Sequence, residues 1–405
     1  MEGGWLDWGN QPTPYKTYEG LPAVALPEVT EWPDSPLSTV LEEAPECSPL
    51  DLSRLSRLMR LAHSVTARAR FAGGDFFYRS VASAGALYPF ELYIAAIAVD
   101  GLPSGLYHHN VMSQELTLLR SGNAGQELTG GLGRKTSTPL RAAFFLTSIF
   151  FRSSWKYRDR AYRYNLLDTG HLAENLALAA HAVRLPLEFR FAFDDNSINN
   201  LLCLDPSREV CLAIALVSSQ EPLSDQEAVL LANPPGDLQP RSRVSTREVN
   251  HQLIGAIHAA SEQVVAPPAD PPAMEERLGV RTHLSTPFTM PQPVPEVMGC
   301  AEAMLRRRSM RNFVDAKLPA RQWAALFDVL CFDASDDRRA RLARSDAIAV
   351  GLLTGNVEGL AQGFHLLNRS TKSVGRVADG SFTDAMADVC LGQRWLANCA
   401  LHFLF

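Results

Sequence analysis

Apolar runs and alternations divide the first two hundred positions into short strands gathered around helices. Strands are predicted at Glu91–Val99, Gly105–His109, Glu115–Leu119, Ala142–Phe150, Leu187–Phe193 and Glu209–Val217, and helices at Leu52–His63, Trp155–Tyr164 and Gly170–Val183. In the last helix Leu172, Leu176, Ala179 and Val183 form one apolar stripe, with Asp168 or Thr169 as N-cap. Strands grouped around helices without strict alternation predict an α+β fold, a mixed sheet flanked by helices. From about Ser218 to Val297 prolines recur too densely for sheet or helix, which predicts a linker. Within it, 244–265 lacks proline and spaces Val249, Leu253, Ile257 and Ala260 for one amphipathic helix docked on the main body.

From about Met298 the pattern turns globular again and repeats itself. Val99-Asp100-Gly101-Leu102 followed by Gly105-Leu106-Tyr107 matches Val357-Glu358-Gly359-Leu360 followed by Gly363-Phe364-His365, 258 positions later. The register holds without a gap from Gly122 and Gly380 to Ala142–Leu146 and Ala400–Leu404. An internal duplication is expected. The second copy reaches only the strand that matches Ala142–Phe150, so it is expected to be incomplete and to pack on the first as a pseudo-dimer. The expected domains are 1–217, with a leader to about residue 50; 218–297, the linker; and 298–405, the partial second copy.

Composition narrows the class. A chain of 405 residues, 46% apolar and 20% charged, reads as an ordinary globular protein of two to three domains. A net charge of −6 gives no general affinity for nucleic acid. The longest uncharged apolar run, Ala142–Phe151, is about half of what a membrane span needs and reads as a buried strand. The start, Met1-Glu2-Gly3-Gly4-Trp5, shows no secretory signal. Seven cysteines, Cys47 among them, form no CxxC pair, which points to reduced buried thiols in a cytoplasmic protein and to no metal site.

Three segments carry candidate chemistry. Arg306-Arg307-Arg308-Ser309-Met310-Arg311 suits a phosphate monoester, since guanidiniums fork onto phosphate oxygens; a solvated basic turn reads equally well. Ser80–Pro89 runs small residues into a strand, which lets backbone approach a flat ligand and lets Ser83 donate to a ring carbonyl; a tight strand entry is the plainer reading. On the predicted helix Trp155–Tyr164, Lys156, Arg160 and Arg163 share a face, which calls for an anion or carboxylate opposite; pairing with Asp159 or Asp168 is the alternative. Gly130–Thr136 imitates a phosphate loop with the wrong glycine-to-lysine spacing, and His108-His109 point to opposite faces of a strand. No G-x-S-x-G elbow is present.

Together these segments resemble the nitroreductase superfamily, and within it the SagB-type thiazole/oxazole-forming dehydrogenases. Ser80–Pro89 is similar to the group's flavin loop P-S-A-G-A-L-Y-P. Lys156-Tyr157, Arg160–Tyr164 and Leu167-Asp168 through Gly170-His171-Leu172-Ala173 to Asn175-Leu176 are similar to its K-Y-x-x-R-A-Y-R-Y … L-D-x-G-H-L-A-x-N-L signature. Arg307-Arg308-Ser309-Met310-Arg311 is similar to the phosphate motif R-R-S-x-R, and Asp7-Trp8-Gly9-Asn10-Gln11-Pro12 to the leader of tandem members. The chain has Ala82, Glu174 and Arg184 where the group has proline, glutamine and a helix-ending glycine.

The resemblance implies an FMN enzyme with a site between two copies of the fold: Arg307, Arg308, Ser309 and Arg311 from one, and Ser83, Ala84, Gly85, Gly170, His171 and Asn175 from the other. At most one site per chain is implied, because Leu41–Pro45 in repeat one lacks the arginines and Ala343-Arg344-Ser345-Asp346 in repeat two lacks the small-residue loop. Lys156 and Tyr157 match the pair associated with oxidation of azolines to azoles. There a desolvated lysine takes a ring proton, the tyrosine orients or relays it, hydride passes to the flavin, and oxygen reoxidises it. The implied partners are a peptide or small-molecule substrate and a cyclodehydratase, with further homo-oligomerisation open. An NAD(P)H-dependent nitro or quinone reductase and a flavin-deficient partner protein of a peptide-modifying complex are the alternatives.

Overall fold

A computed structural model describes residues 6–32, 35–42, 49–71, 74–133, 138–218, 229–262, 274–289, 298–331 and 348–405. Outside them lie Met1–Trp5, Cys47, Glu43–Pro45, Arg134–Thr136, Ala343–Asp346 and the proline-rich stretches 219–228, 263–273 and 290–297. The chain divides into two units, Met1–Val265 with Met298–Arg307, and Ala266–Val297 with Arg308–Phe405. The expected linker is thus shared between them. Its first part, to Val265, belongs to the first unit and the remainder to the second.

The first unit opens with β1 (Ala23–Ala25), α1 (Leu37–Glu42), α2 (Leu52–Ala62), β2 (Val65–Phe71), β3 (Gly74–Arg79), β4 (Phe90–Ala96), β5 (Gly105–Asn110) and β6 (Glu115–Ser121). It continues through α3 (Gly125–Gly131), β7 (Leu140–Ile149), α4 (Phe150–Tyr157), α5 (Ala161–Ala182), β8 (Glu188–Arg190), α6 (Asp195–Leu201), β9 (Glu209–Ser218) and α7 (Gln252–Ser261). Seven strands form one antiparallel sheet in the order β1-β6-β5-β4-β7-β9-β8, while β2 and β3 pair as a separate ribbon. Every position of β4 and β7 is buried or nearly so, which is why their sequences read as continuous apolar runs rather than alternations: the sheet is covered on both faces. Tyr93, Ala95, Ala143 and Phe145 join Leu128 of α3 and Ile198 and Leu201 of α6 in one core cluster, while α5 packs across β4, β7 and β9.

Two helix predictions need correction. Trp155–Tyr164 is not one helix: α4 ends at Tyr157, Arg158 takes φ 50° and ψ −134°, and a short 3₁₀ turn leads into α5. Lys156 therefore does not share a helix face with Arg160 and Arg163. The 22-residue α5 starts nine positions before Gly170, so Asp168 and Thr169 are buried in its interior rather than capping its start. Its far end is a Schellman turn: Leu185 N donates to Ala180 O (2.7 Å), Arg184 N donates to His181 O (2.9 Å), and Arg184 takes φ +59°. The left-handed conformation usually given to glycine is here carried by an arginine.

A helix forms inside the predicted stretch, but only over Gln252–Ser261, which leaves Val249 ahead of it, and the stripe that docks is a different one. Ile254 and His258 are buried, Ile254 in a cluster with Phe150, Tyr162 and Val210, whereas Val249, Leu253 and Ile257 face outward. Upstream of the sheet, residues 6–18 lie against the first unit, with Asn10, Pro12, Lys16 and Tyr18 buried and the rest half-buried or exposed. Trp8 meets Trp155 edge-on at 5.3 Å, Arg152 Nε donates to Thr13 O (2.9 Å), and the buried Lys16 pairs with Glu209 and donates to Tyr93 Oη (2.6 Å).

The second unit begins with α8 (Met274–Leu278) and β10 (His283–Pro287); α9 (Cys300–Arg306) then belongs to the first unit. The second unit resumes with α10 (Ala320–Leu330), β11 (Val350–Thr354), β12 (Gly363–Asn368), β13 (Ser373–Asp379), α11 (Thr383–Val389) and β14 (Leu401–Leu404). Its antiparallel sheet has the order β10-β13-β12-β11-β14, over a core of Phe288, Trp323, Phe327, Leu352 and Leu367. The bounds of β12, β13 and α11 are those of β5, β6 and α3 displaced by 258 positions. The bulge between Leu106 and Tyr107 recurs between Phe364 and His365, and left-handed Gly101 and Gly122 recur as Gly359 and Gly380.

Candidate functional site

The segment between β3 and β4 is a turn that holds an unfavourable backbone. Gly85, Ala86 and Tyr88 all take positive φ (64°, 53° and 48°), a conformation that costs about 1–2 kcal/mol for each residue bearing a Cβ. Hydrogen bonds at both ends offset that cost. At the start, the Asp168 carboxylate on α5 accepts from Ser83 Oγ (2.6 Å) and from Ala84 N (3.1 and 3.2 Å). Ser83 Oγ in turn accepts from Tyr88 N (2.9 Å). At the end, Tyr88 O accepts from Arg152 Nη1 (3.0 Å), and the Arg79 guanidinium lies 4.7 Å from the Tyr88 ring centroid. Ser83 therefore donates its proton to Asp168, a correction to the expectation that it faces a ligand carbonyl.

At the exposed apex of this turn two further predicted residues converge. A Cβ at position 85 would stand 2.6 Å from Tyr157 Oη and 3.1 Å from Lys156 Nζ, so both polar ends lie directly against the bare glycine backbone. The break at Arg158 makes this possible, because it ends α4 at Tyr157 and lets the Tyr157 ring pack on Tyr164 at 4.5 Å. Burial, then Tyr164 and Asp168, pushes the Tyr157 phenol above its ordinary range and keeps it protonated at neutral pH. Burial likewise pushes the Asp168 carboxyl up, opposed by the hydrogen bonds from Ser83 and Ala84 and by His171.

Beneath the turn lies a buried charge cluster. Glu91 pairs with Arg152 (2.5 Å) and His108 (2.9 Å); burial would raise its pKa, but Arg152 and then His108 hold it well below the carboxylate range. His109, on the opposite face of β5, meets His63 at 3.1 Å.

The remaining predicted residues are placed less closely. Gly170 and His171 are exposed on α5, where His171 Nδ1 bonds Leu167 O (2.8 Å); Asn175 Nδ2 reaches Ala62 O at 3.5 Å. Arg307, which follows α9, donates from Nε to Ser80 O (3.2 Å) and from Nη2 to Arg79 O (3.3 Å), at the entry to the turn. Arg308, Ser309 and Arg311 lie in the second unit, on irregular backbone. Asp168, Arg152 and Arg79 hold the turn and were not assigned to the site from sequence. The signal available for Asp168 was its place in the L-D-x-G-H-L-A-x-N-L signature, which did not say what it holds.

Comparison with known proteins gives four findings. Residues 46–216 match the Nitroreductase family model. The chain is 32% identical over 187 residues to the trifolitoxin-processing protein TfxB of Rhizobium leguminosarum bv. trifolii, covering 44% of this chain and 50% of that one, so it spans half the length of that relative. It is 30% identical over 156 residues to a protein of Methanocaldococcus jannaschii named as a nitroreductase, covering 38% of this chain and 75% of that one. Among solved structures, one from Anabaena variabilis, also named as a nitroreductase, aligns with a TM-score of 0.70 at 24% identity, over 98% of this chain and 80% of that one.

Proposed function

The chain belongs to the nitroreductase family, and from that premise we propose that it is an FMN-dependent dehydrogenase that oxidises azoline rings to azoles in a ribosomally made peptide. Family membership supports an oxidoreductase, and the likeness to a trifolitoxin-processing protein supports a role in processing a peptide. A cyclodehydratase as the partner that forms the ring rests on the resemblance of the Lys156-Tyr157 signature. The observation that carries the reading is the convergence of Lys156 Nζ and Tyr157 Oη on Gly85. We read the second unit as a partial second copy of the first, on the strength of elements and bulges repeated at one offset.

The residues present fit a flavin. A turn apex without a side chain offers close approach to a flat ring, with a lysine and a phenol against it and a guanidinium at the turn entry. In this reading Ser83, Ala84, Gly85, Gly170, His171 and Asn175 serve the ring side, and Arg307 the phosphate. Bound FMN would supply the hydride acceptor. Lys156 Nζ takes the proton from the substrate ring carbon, and Tyr157 Oη, held protonated, orients the ring or relays that proton. The substrate ring thus loses a proton from one carbon and a hydride from its neighbour and gains one carbon–carbon double bond, which completes the aromatic azole.

Purified protein is expected to be yellow, and Lys156→Ala to abolish azoline oxidation while leaving the flavin bound. Unchanged turnover in that variant removes Lys156 from the mechanism. Turnover of NAD(P)H with a nitroaromatic but none with an azoline peptide makes the chain a general reductase, and colourless protein that takes up no added FMN makes it a non-catalytic partner.

A further inference from the structure

We infer that Asp168 is the positioning residue of this site: from inside α5 its carboxylate holds the Ser83–Tyr88 turn in the conformation that sets Gly85 against Tyr157 Oη and Lys156 Nζ. What the geometry serves rests on the dehydrogenase reading; that Asp168 does the holding rests on the hydrogen bonds alone. A carboxylate in a helix interior gains nothing for the helix, and at 3% exposure it forgoes water. Among the described residues no cation pairs with it. Its three contacts from donors come from two residues of the turn, Ser83 Oγ and Ala84 N, and Ser83 passes the constraint on by accepting from Tyr88 N across the left-handed stretch. The dependence is mutual. The turn supplies the donors that let the charge be buried, and the charge supplies the acceptor that lets the turn stay left-handed. Hydrogen bonds to an ionised acceptor are roughly twice as strong as neutral ones, so a neutral side chain at 168 cannot replace it. A helix-capping role is excluded by its place seven residues inside α5.

The test uses the full chain with Asp168→Asn and Asp168→Ala. Asparagine keeps the shape but is neutral and has one acceptor oxygen, so the bond from Ala84 N to the second carboxylate oxygen is lost and the others weaken; alanine removes all three. Hydrogen–deuterium exchange of peptides covering 80–90, without flavin, is expected to be roughly tenfold or more faster in Asp168→Ala and intermediate in Asp168→Asn, with β5 and β7 unchanged. FMN titration is expected to show weaker binding and an altered visible band, and kinetics a fall in kcat with KM nearly constant. If Asp168→Ala does not fold, the isosteric Asp168→Asn carries the test. Unaltered exchange over 80–90 overturns the inference. So does faster exchange with kcat, FMN affinity and spectrum all unchanged, since Asp168 would then hold a turn the chemistry does not use. If wild-type chain takes up no FMN while the variants still exchange faster, the dehydrogenase reading falls and the holding role stands.

Discussion

Position 85 is under two constraints that only a glycine satisfies together. Its φ of +64° costs a side-chain-bearing residue about 1–2 kcal/mol, and a Cβ there would meet Tyr157 Oη at 2.6 Å. Gly85→Ala is therefore expected to lower stability by about that amount and, by pushing Tyr157 and Lys156 outward, to cut azoline turnover by roughly tenfold or more, since small misplacements of reacting groups cost that much. Thermal unfolding and steady-state kinetics measure the two effects, and turnover within twofold of wild type would show that the contact is not part of the reaction. At this scale the sequence was partly legible. The small side chains of Ser80–Pro89 announced a backbone that something approaches closely. The partner of Ser83 was not announced, because Asp168 lies 85 positions away and only the packing of α5 under the turn brings the two together.

At the scale of elements, the apolar stripe of α7 shows what periodicity can and cannot decide. Spacing located the helix, yet both Val249-Leu253-Ile257 and the Ile254-His258 line satisfy a helical period, and which one docks depends on what the body offers opposite. That body offers Phe150, Tyr162 and Val210, with Tyr162 Oη 3.2 Å from His258 Nδ1. Ile254, 2% exposed, is filled in on all sides, while Leu253 is 61% exposed. Ile254→Ala should cost about 2–4 kcal/mol in urea unfolding and Leu253→Ala less than about 0.5 kcal/mol; equal costs would contradict the docking described here. The division between α4 and α5 was equally hidden, because nothing in Trp155–Tyr164 forbids a continuous helix and the break falls on an arginine in a glycine-like conformation. By contrast, β4, β5, β6, β7 and β9 lie within a few residues of their predicted spans, and in β4, β7 and β9 burial on two faces writes itself into the sequence as largely apolar runs.

At the scale of the whole molecule, the first unit is built around charges it keeps from water, and acidity should find them. Burial, then its neighbour His109, lowers the His63 pKa well below 6.5, and burial, then His108, lowers His109 to about 3. Unfolded chain takes up these protons near pH 6.5 and folded chain resists, so their contribution to stability is full above that pH and is lost as the pH falls below it. One pH unit below, the loss is about 1.4 kcal/mol for each imidazole kept neutral. Urea unfolding at neutral pH and at about pH 5.5 should show this slope, and His109→Gln should flatten it; an unaltered slope in that variant would assign the acid sensitivity elsewhere. The pattern repeated at 258 positions was the most legible large-scale feature, since it needed only self-comparison, and the bounds of β12, β13 and α11 follow the same register.

The path of residues 6–18 carries a consequence for how the chain is made. Lys16 is sealed against Glu209, which is 193 positions later in the chain. At a ribosomal pace of about 5–20 residues per second, roughly 10–40 seconds pass between the emergence of the two. For that interval Lys16 lacks its carboxylate partner, and residues 6–18 reach their final place only when β9 does. Whatever grips them on the nascent chain delays maturation of everything downstream, and whatever shields them hastens it.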